Sequence, residues 1–205
     1  MFAYDPAGKV PRDLHKLVSG LVVPRPIALV VTLGPQGPNA APFSFFNLVC
    51  QDPSMLMFSM APRPGTKTMK DTLLNLGHCP EFVVHIVDEA NKEKMNLCSE
   101  EVPYGVDEIA RSGLRTLPSR KVQPPRIADM PVHLECRLER LVKLGRMPYT
   151  MVIGEIVLVH CREDLVDPER LHVHADRIHA MGRMEGGDMY TRTQDRFSLP
   201  RPGAA

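Results

Sequence analysis

The residues best able to do chemistry fall in two neighbouring strings. The first, Ala41-Pro42-Phe43-Ser44-Phe45-Phe46-Asn47, sets a hydroxyl and an amide beside three aromatic rings. That mixture suits a flat heteroaromatic ligand with polar edges. The second follows Met57-Phe58-Ser59 and contains Arg63, Lys67 and Lys70-Asp71-Thr72. It brings cations and hydroxyls to the start of an expected helix, where free N–H groups and the helix dipole favour an anion. A planar ring at one end and a phosphate at the other is the shape of FMN. The same residues also fit a plainer arrangement, with Phe43, Phe45 and Phe46 in the core and Lys67 and Lys70 on a solvated helix face. The residue types alone leave both open.

Other chemistries find less support. There is no GxGxxG for a Rossmann dinucleotide site and no HExxH metal pair. No GxSxG occurs, so Ser44 is not a nucleophile elbow. Gly65-Thr66-Lys67-Thr68 lacks the residue order of a P-loop. His172 and His174, with His179 and Cys161 nearby in sequence, could be imagined around a metal, but the spacing does not support tetrahedral ligation and a solvated polar segment is the simpler reading. Neither a metal site nor a catalytic side chain is expected.

Short strands and turns must position these groups. Residues 26–33 form an aliphatic strand closed by a Gly34-Pro35-Gln36-Gly37-Pro38-Asn39 turn, with the Phe-rich run 40–50 returning beside it. Strands follow at 54–60, 81–87, 132–138 and 151–159. The run 132–138 alternates with one face wet, whereas 151–159 reads as buried on both faces with a bulge at Gly154. Helices are expected at 66–76, 90–98 and 106–112, with a short one at 167–172. The Pro-rich stretch 118–131 reads as a strand-to-strand crossover, and 181–205 as loop and tail, with 191–205 flexible. The whole chain, 1–205, reads as one mainly β domain with α insertions.

Composition agrees. The chain has 205 residues, 20 of them Pro and none Trp. Pro this frequent cannot thread helix interiors, so an all-helical bundle is excluded. A net charge of +1 argues against a nucleic-acid binder dominated by phosphate contacts. No apolar run approaches a membrane span, and no signal peptide is visible. Five cysteines without a CxxC read as reduced thiols, mostly buried, in a cytoplasmic protein.

Read together, Pro24-Arg25-Pro26-Ile27-Ala28, Asn39 through Asn47, Asp52-Pro53, Lys70-Asp71-Thr72, Asn75, Val106-Asp107-Glu108, Ile153-Gly154-Glu155 and Gly186-Gly187-Asp188-Met189-Tyr190 resemble the flavin reductase-like, FMN-binding split-barrel family related to flavoredoxin. The resemblance covers nearly the whole chain in order. It implies a six-stranded Greek-key split β-barrel acting as a homodimer, with FMN near the subunit interface. By position, Ser44, Phe46 and Asn47 would lie along the isoalloxazine and ribityl chain. Ser59, Arg63, Lys67, Lys70 and Thr72 would sit toward the ribityl and phosphate end. Arg25 would contribute a cation or pairing partner, and Asp71 would cap the helix or order the lysines. The implied activity is NAD(P)H-dependent flavin reduction, with NADH or NADPH as transient reductant and free flavin, oxygen or a partner oxygenase as acceptor. Two other readings fit the same residues: an FMN electron-transfer module that does not use nicotinamide, and a split barrel binding haem or another planar ligand through His85, His133 or His160. Met184-Glu185 departs from the family pattern at a loop that bears on substrate access.

Overall fold

The computed structural model describes residues 1–65 and 68–203. The chain opens with helix α1 (Pro11–Leu21), then strands β1 (Arg25–Pro26), β2 (Ala28–Gly34), β3 (Gly37–Phe43), β4 (Phe46–Gln51) and β5 (Ser54–Met60). Helix α2 (Asp71–His78) precedes β6 (Glu81–Ile86). Helices α3 (Lys92–Leu97) and α4 (Glu108–Arg111) and short strands β7 (Thr116–Leu117) and β8 (Arg126–Ile127) lead to the long hairpin β9 (Val132–Leu144) and β10 (Tyr149–Cys161). The chain closes with β11 (Val166–Asp167), β12 (His172–Val173), β13 (Met181–Arg183) and β14 (Tyr190–Arg192). No helix among the described residues is long and apolar enough to cross a membrane.

The main sheet is antiparallel and runs β3-β2-β6-β9-β10-β5-β4. It has seven strands where six were expected. The reason is local. The Phe-rich run breaks at Ser44-Phe45 and feeds two strands at opposite ends of the sheet. No hydrogen-bond ladder joins those two edges, but the chain bridges them and the Ser59 N–H donates to the Phe45 carbonyl at 2.9 Å. A smaller sheet, β1-β13-β14, lies beside this break in sequence terms, sharing Arg25–Pro26 with the approach to β2.

Strand β2 is apolar from Ala28 to Val31 because it is covered on both sides. Ala28 and Val30 join Phe43, Phe46, Phe58, Phe82 and Val152 in one core. Leu29 and Val31 join Val87, Met95, Ile109 and Ile127 in a second core beneath α3 and α4. Strand β10, expected to be buried on both faces, is not. Its burial alternates from Tyr149 to Gly154 and fades toward solvent, with Val159 58% exposed. The bulge expected at Gly154 is present as a register shift against β9. A β-carbon there would come within 2.3 Å of the Phe82 ring, so only glycine lets that ring fill the core.

Several boundaries differ from the sequence expectation. Of the helix expected at 66–76, residues 66 and 67 lie outside the described residues, and helix α2 begins at Asp71 because Lys70 is still extended (φ −71°, ψ 153°). The helix expected at 167–172 is instead a hairpin, with Asp167 paired to His172 and residues 168–171 forming the turn. Asp167 accepts the N–H groups of Glu169 and Arg170 at 3.0 and 3.3 Å, which closes the turn locally. The segment read as loop and tail carries β13 and β14. The N-terminal helix α1 had no counterpart in the sequence reading.

The 118–131 crossover is ordered by buried acceptors. Glu135, fully buried, accepts the N–H groups of Arg120 and Lys121 and a bond from His160 Nε2 at 2.6 Å. His85 Nε2 accepts the Ile127 N–H at 2.9 Å while its Nδ1 pairs with the Leu29 carbonyl at 3.0 Å. His133 Nε2 pairs with the Met130 carbonyl at 2.8 Å. The three histidines considered for haem are therefore engaged in pinning the crossover. Cys50 and Cys161 are exposed; the other three thiols are free and buried.

Candidate functional site

Three cavities meet at Pro42, near the end of β3. The largest, about 590 Å³, lies between the Pro42–Ser44 backbone, α3 and the β13–β14 strands. Its walls include Ile27, Phe43, Met95, Met181 and Tyr190, with Lys92 and Arg183 as cations and Glu93 and Asp188 as carboxylates. The second, about 290 Å³, shares Pro42, Phe43, Ser44 and Arg183 with the first. It adds His15 and Ser19 of α1, Arg25, Ser59, Lys70 and Tyr149. The third, about 150 Å³, shares Lys70 with the second and Ser99 with the first.

Ser44, Ser59 and Lys70 come from three separate sequence strings and are brought together on these walls. Ser44 sits at the break between β3 and β4, where the chain leaves the sheet and its side chain is half-buried. Ser59 is on β5 beside that break. Lys70, the residue before α2, is half-buried and faces both the second and third cavities.

Other expected site residues are placed differently. Phe46 is 7% exposed and packs in the barrel core, so it lines none of the three cavities. Asn47 is exposed on edge strand β4, where its Oδ1 accepts the Leu48 N–H at 2.9 Å, and it also lines none of them. Lys67 lies outside the described residues. Arg63 and Thr72 reach the third cavity but are engaged. Arg63 pairs with the buried Asp71 at 2.5 Å and donates to the Val102 carbonyl at 3.0 Å. Asp71 thus orders an arginine rather than capping its helix. Thr72 is 1% exposed and donates to Asn39 Oδ1 at 3.3 Å, while Asn39 Nδ2 donates to Glu108 Oε1 at 2.8 Å. With Asn75 donating to Thr32 at 3.2 Å, this polar chain fastens α2 to β2 and β3.

Arg25 lines the second cavity, yet its guanidinium works as a clamp. It donates to the carbonyls of Ser19 (2.5 Å) and Val22 (2.9 Å) at the end of α1, and to those of Met184 (3.1 Å) and Glu185 (3.4 Å). Burial, then the nearby Arg183 charge, push its pKa below the usual arginine value. Arg183 in turn donates to the carbonyls of Glu185 and Gly187 and lies over the Tyr190 ring, 4.6 Å from its centre. Two arginines therefore shape the 183–190 loop.

The sequence reading assigned no site role to His15, Lys92, Arg183 or Tyr190. The Gly186 to Tyr190 string was legible as a family feature and could have directed attention to this wall. Nothing in the local pattern around His15 marks it. Among the described residues, no group of three or more His, Cys, Asp or Glu side chains could hold a metal ion.

Comparison with known proteins agrees with this geometry. Residues 19–182 match the model for the flavin reductase like domain. The chain is 36% identical to 2-nitrobenzoate 2-nitroreductase NbaA of Pseudomonas fluorescens, with a TM-score of 0.89, covering 100% of this chain and 98% of that one. It is 30% identical to nitrilotriacetate monooxygenase component B from Bacillus cereus, with a TM-score of 0.91 and coverage of 97% and 98%. A putative flavin reductase with split barrel domain from Shewanella frigidimarina shares the fold at 18% identity, with a TM-score of 0.81 and 95% of each chain covered. Seven antiparallel strands, a site at the break between two of them and a family match over most of the length lead to one conclusion: the chain belongs to the flavin reductase-like split-barrel family.

Proposed function

We propose that the protein is an FMN-dependent oxidoreductase, reduced by NADH or NADPH, with the flavin bound where the three cavities meet. The observation that carries this reading is the convergence of Ser44, Ser59 and Lys70 on one connected groove. The donor set fits a flavin. Aromatic and apolar walls (Phe43, Ile27, Tyr190) suit a planar ring, the two hydroxyls suit its polar edge and ribityl chain, and Lys70 at the start of α2 suits a phosphate. When bound, the flavin supplies the hydride-accepting chemistry. The chain's residues bind and orient it. Met95, Met181 and Ile27 give the largest cavity an apolar patch for the ring, while Arg183, over Tyr190, places a positive charge at its edge. No side chain is needed as nucleophile.

Asn47 fits the same proposal through a homodimer. It lies on an exposed edge strand beside Leu48 and Val49, 67% and 51% exposed, and would reach the flavin of a second copy rather than its own. The similarity to a monooxygenase component supports a partner oxygenase as acceptor. The higher identity to a nitroreductase supports a second reading, direct reduction of a small organic substrate in the 590 Å³ cavity.

The test is to purify the protein with FMN, record its absorption spectrum and mix it anaerobically with NADH and NADPH. Bleaching of the flavin band is expected. A yellow protein that ignores both coenzymes but is bleached by dithionite would replace the reductase by an electron-transfer module. A colourless protein that takes up no flavin would end the proposal.

A further inference from the structure

Two arginines stand opposite each other across the β1–β13 ladder, where Arg25 pairs in register with Arg183. Like charges directly opposite on neighbouring strands repel. Both side chains line the 290 Å³ cavity, and Arg183 lines the 590 Å³ cavity as well. Among the described residues, no carboxylate pairs with either. Arg25 spends its bonds on neutral carbonyls. Arg183 gives its Nε to the Glu185 carbonyl and an Nη2 hydrogen to the Gly187 carbonyl, two of the five N–H donors of a guanidinium, so three have no partner among the described residues. The repulsion also reaches Arg25, whose pKa is lowered by burial and then by the Arg183 charge.

The surroundings narrow the anion that would balance this pair. Arg183 is half-buried and lies over Tyr190, 4.6 Å from the ring centre, which orients its guanidinium at the wall of both cavities. The same large cavity carries the apolar patch of Ile27, Met95 and Met181. Lys92, its other cation, already stands 3.7 Å from both Glu89 and Glu93. Glu93 and Asp188 are exposed and leave Arg183 unpaired. An occupant that suits both features has one anionic group for Arg183 and one compact apolar body for the patch. A bare phosphate leaves the patch unused, and a neutral ring leaves the arginines unbalanced. A planar carboxylate matches the planar guanidinium.

We propose that the substrate of the largest cavity is a small aromatic carboxylate, its carboxylate bound by Arg183 and its ring against Ile27, Met95 and Met181. Arg25, with its donors engaged by carbonyls, adds positive charge from the opposite strand and makes no bond to the ligand. The inference rests on the second reading above, direct reduction of a small organic substrate, and names the class of that substrate. Arg183 is then the residue that sets specificity, and Lys70 keeps the flavin phosphate.

Benzoate and its uncharged analogue benzamide test this by calorimetric titration of the protein as purified and after loading with FMN. Benzoate should bind at least about tenfold more tightly, the factor that one charge-assisted pair produces. In the FMN-loaded protein it should also shift the flavin absorption band. Arg183→Gln should weaken benzoate about tenfold and leave benzamide within about twofold. Arg183→Lys keeps the charge and should keep part of the preference. If Arg183 only shaped the 183–190 loop, Arg183→Gln would weaken both ligands alike, and that result would overturn the proposal. So would equal binding of the two by the wild type, no binding of benzoate, binding without a band shift, or a loss of FMN in Arg183→Gln that matches the loss of benzoate. Should Arg183→Gln misfold, the wild-type preference and its decline with added salt keep the test decisive. If no flavin is taken up, the oxidoreductase reading fails, while a benzoate preference that depends on Arg183 still supports the anion site. If flavin binds and is reduced but benzoate is not preferred, the anion site alone fails.

Discussion

Replacing Lys70 by Ala isolates one charge in the proposed flavin site. Lys70 precedes α2 with an extended backbone and faces two of the three cavities. Its neighbour Arg63 is held by Asp71 at 2.5 Å, so it is the less available cation. A charge-assisted bond from Lys70 to a phosphate contributes about 1.5–3 kcal/mol, and partial solvent exposure favours the lower half of that range. At ~1.4 kcal/mol per decade, FMN affinity should fall roughly 10- to 40-fold. Riboflavin has the same ring and no phosphate, so its affinity should barely change. Flavin fluorescence titrations of both ligands on both proteins measure this, and raising the salt should shrink the FMN difference. Thermal unfolding should change little, because the Lys70 side chain makes no hydrogen bond or ion pair among the described residues. Arg63→Ala makes the contrast: it strands the 5%-exposed Asp71 carboxylate and should destabilise the fold by about 3 kcal/mol. Equal losses of FMN and riboflavin with Lys70→Ala, or no loss of FMN, would refute a phosphate at this position.

Other perturbations reach different parts of the structure. Arg25→Ala removes four bonds to carbonyls of α1 and the 184–185 loop, so limited proteolysis should cut α1 faster and FMN and riboflavin should weaken together. Gly154→Ala forces a β-carbon against the Phe82 ring and should lower stability by about 1–3 kcal/mol in urea titrations; an unchanged midpoint would contradict the packing described. Burial, then the His133 charge, depress the fully buried His85 from 6.5 to about 3. The unfolded chain therefore takes up a proton near pH 6.5 that the folded protein refuses, so stability should decline as pH falls from 6.5 toward 3 and level off below. His133, also lowered chiefly by burial, adds to the same slope. Urea midpoints at pH 7 and pH 5 should separate more in the wild type than in His85→Asn.

The strands that carry strong patterns were legible in sequence. The aliphatic run of β2, the Pro35-Gln36 turn, β5 and the Gly154 bulge each follow from composition and spacing. What escaped was set by distant partners. Strands β13 and β14 have three residues each, too short for any period; β13 pairs with β1 on one side and with β14 on the other. Helix α1 was legible, since Leu14, Leu17, Val18 and Leu21 recur at helical spacing, but the sequence reading passed over it; in the structure the helix buries only Ser19. The same limit applies to the site. A phenylalanine that fills the barrel and one that faces a ligand look alike in sequence, and Phe46 proved to be the former. Arg25 and Thr72 were recognisable as polar groups near the site, but which atoms they would engage depended on carbonyls and amides far along the chain.

The Arg25 clamp has a consequence for how this protein could be recombined with its relatives. Residues 19–182 match the family model, yet α1 begins before that segment and the clamped Met184 and Glu185 lie after it. One guanidinium measures both against each other, and a β-carbon at Gly186 would already sit 3.2 Å from Ser19 Oγ. The two ends of the chain are therefore a matched set. A graft that imports only a relative's amino-terminal helix, or only its closing loop, would present Arg25 with carbonyls at the wrong spacing. Exchanged together, they would carry the shape of the second cavity with them into the new host.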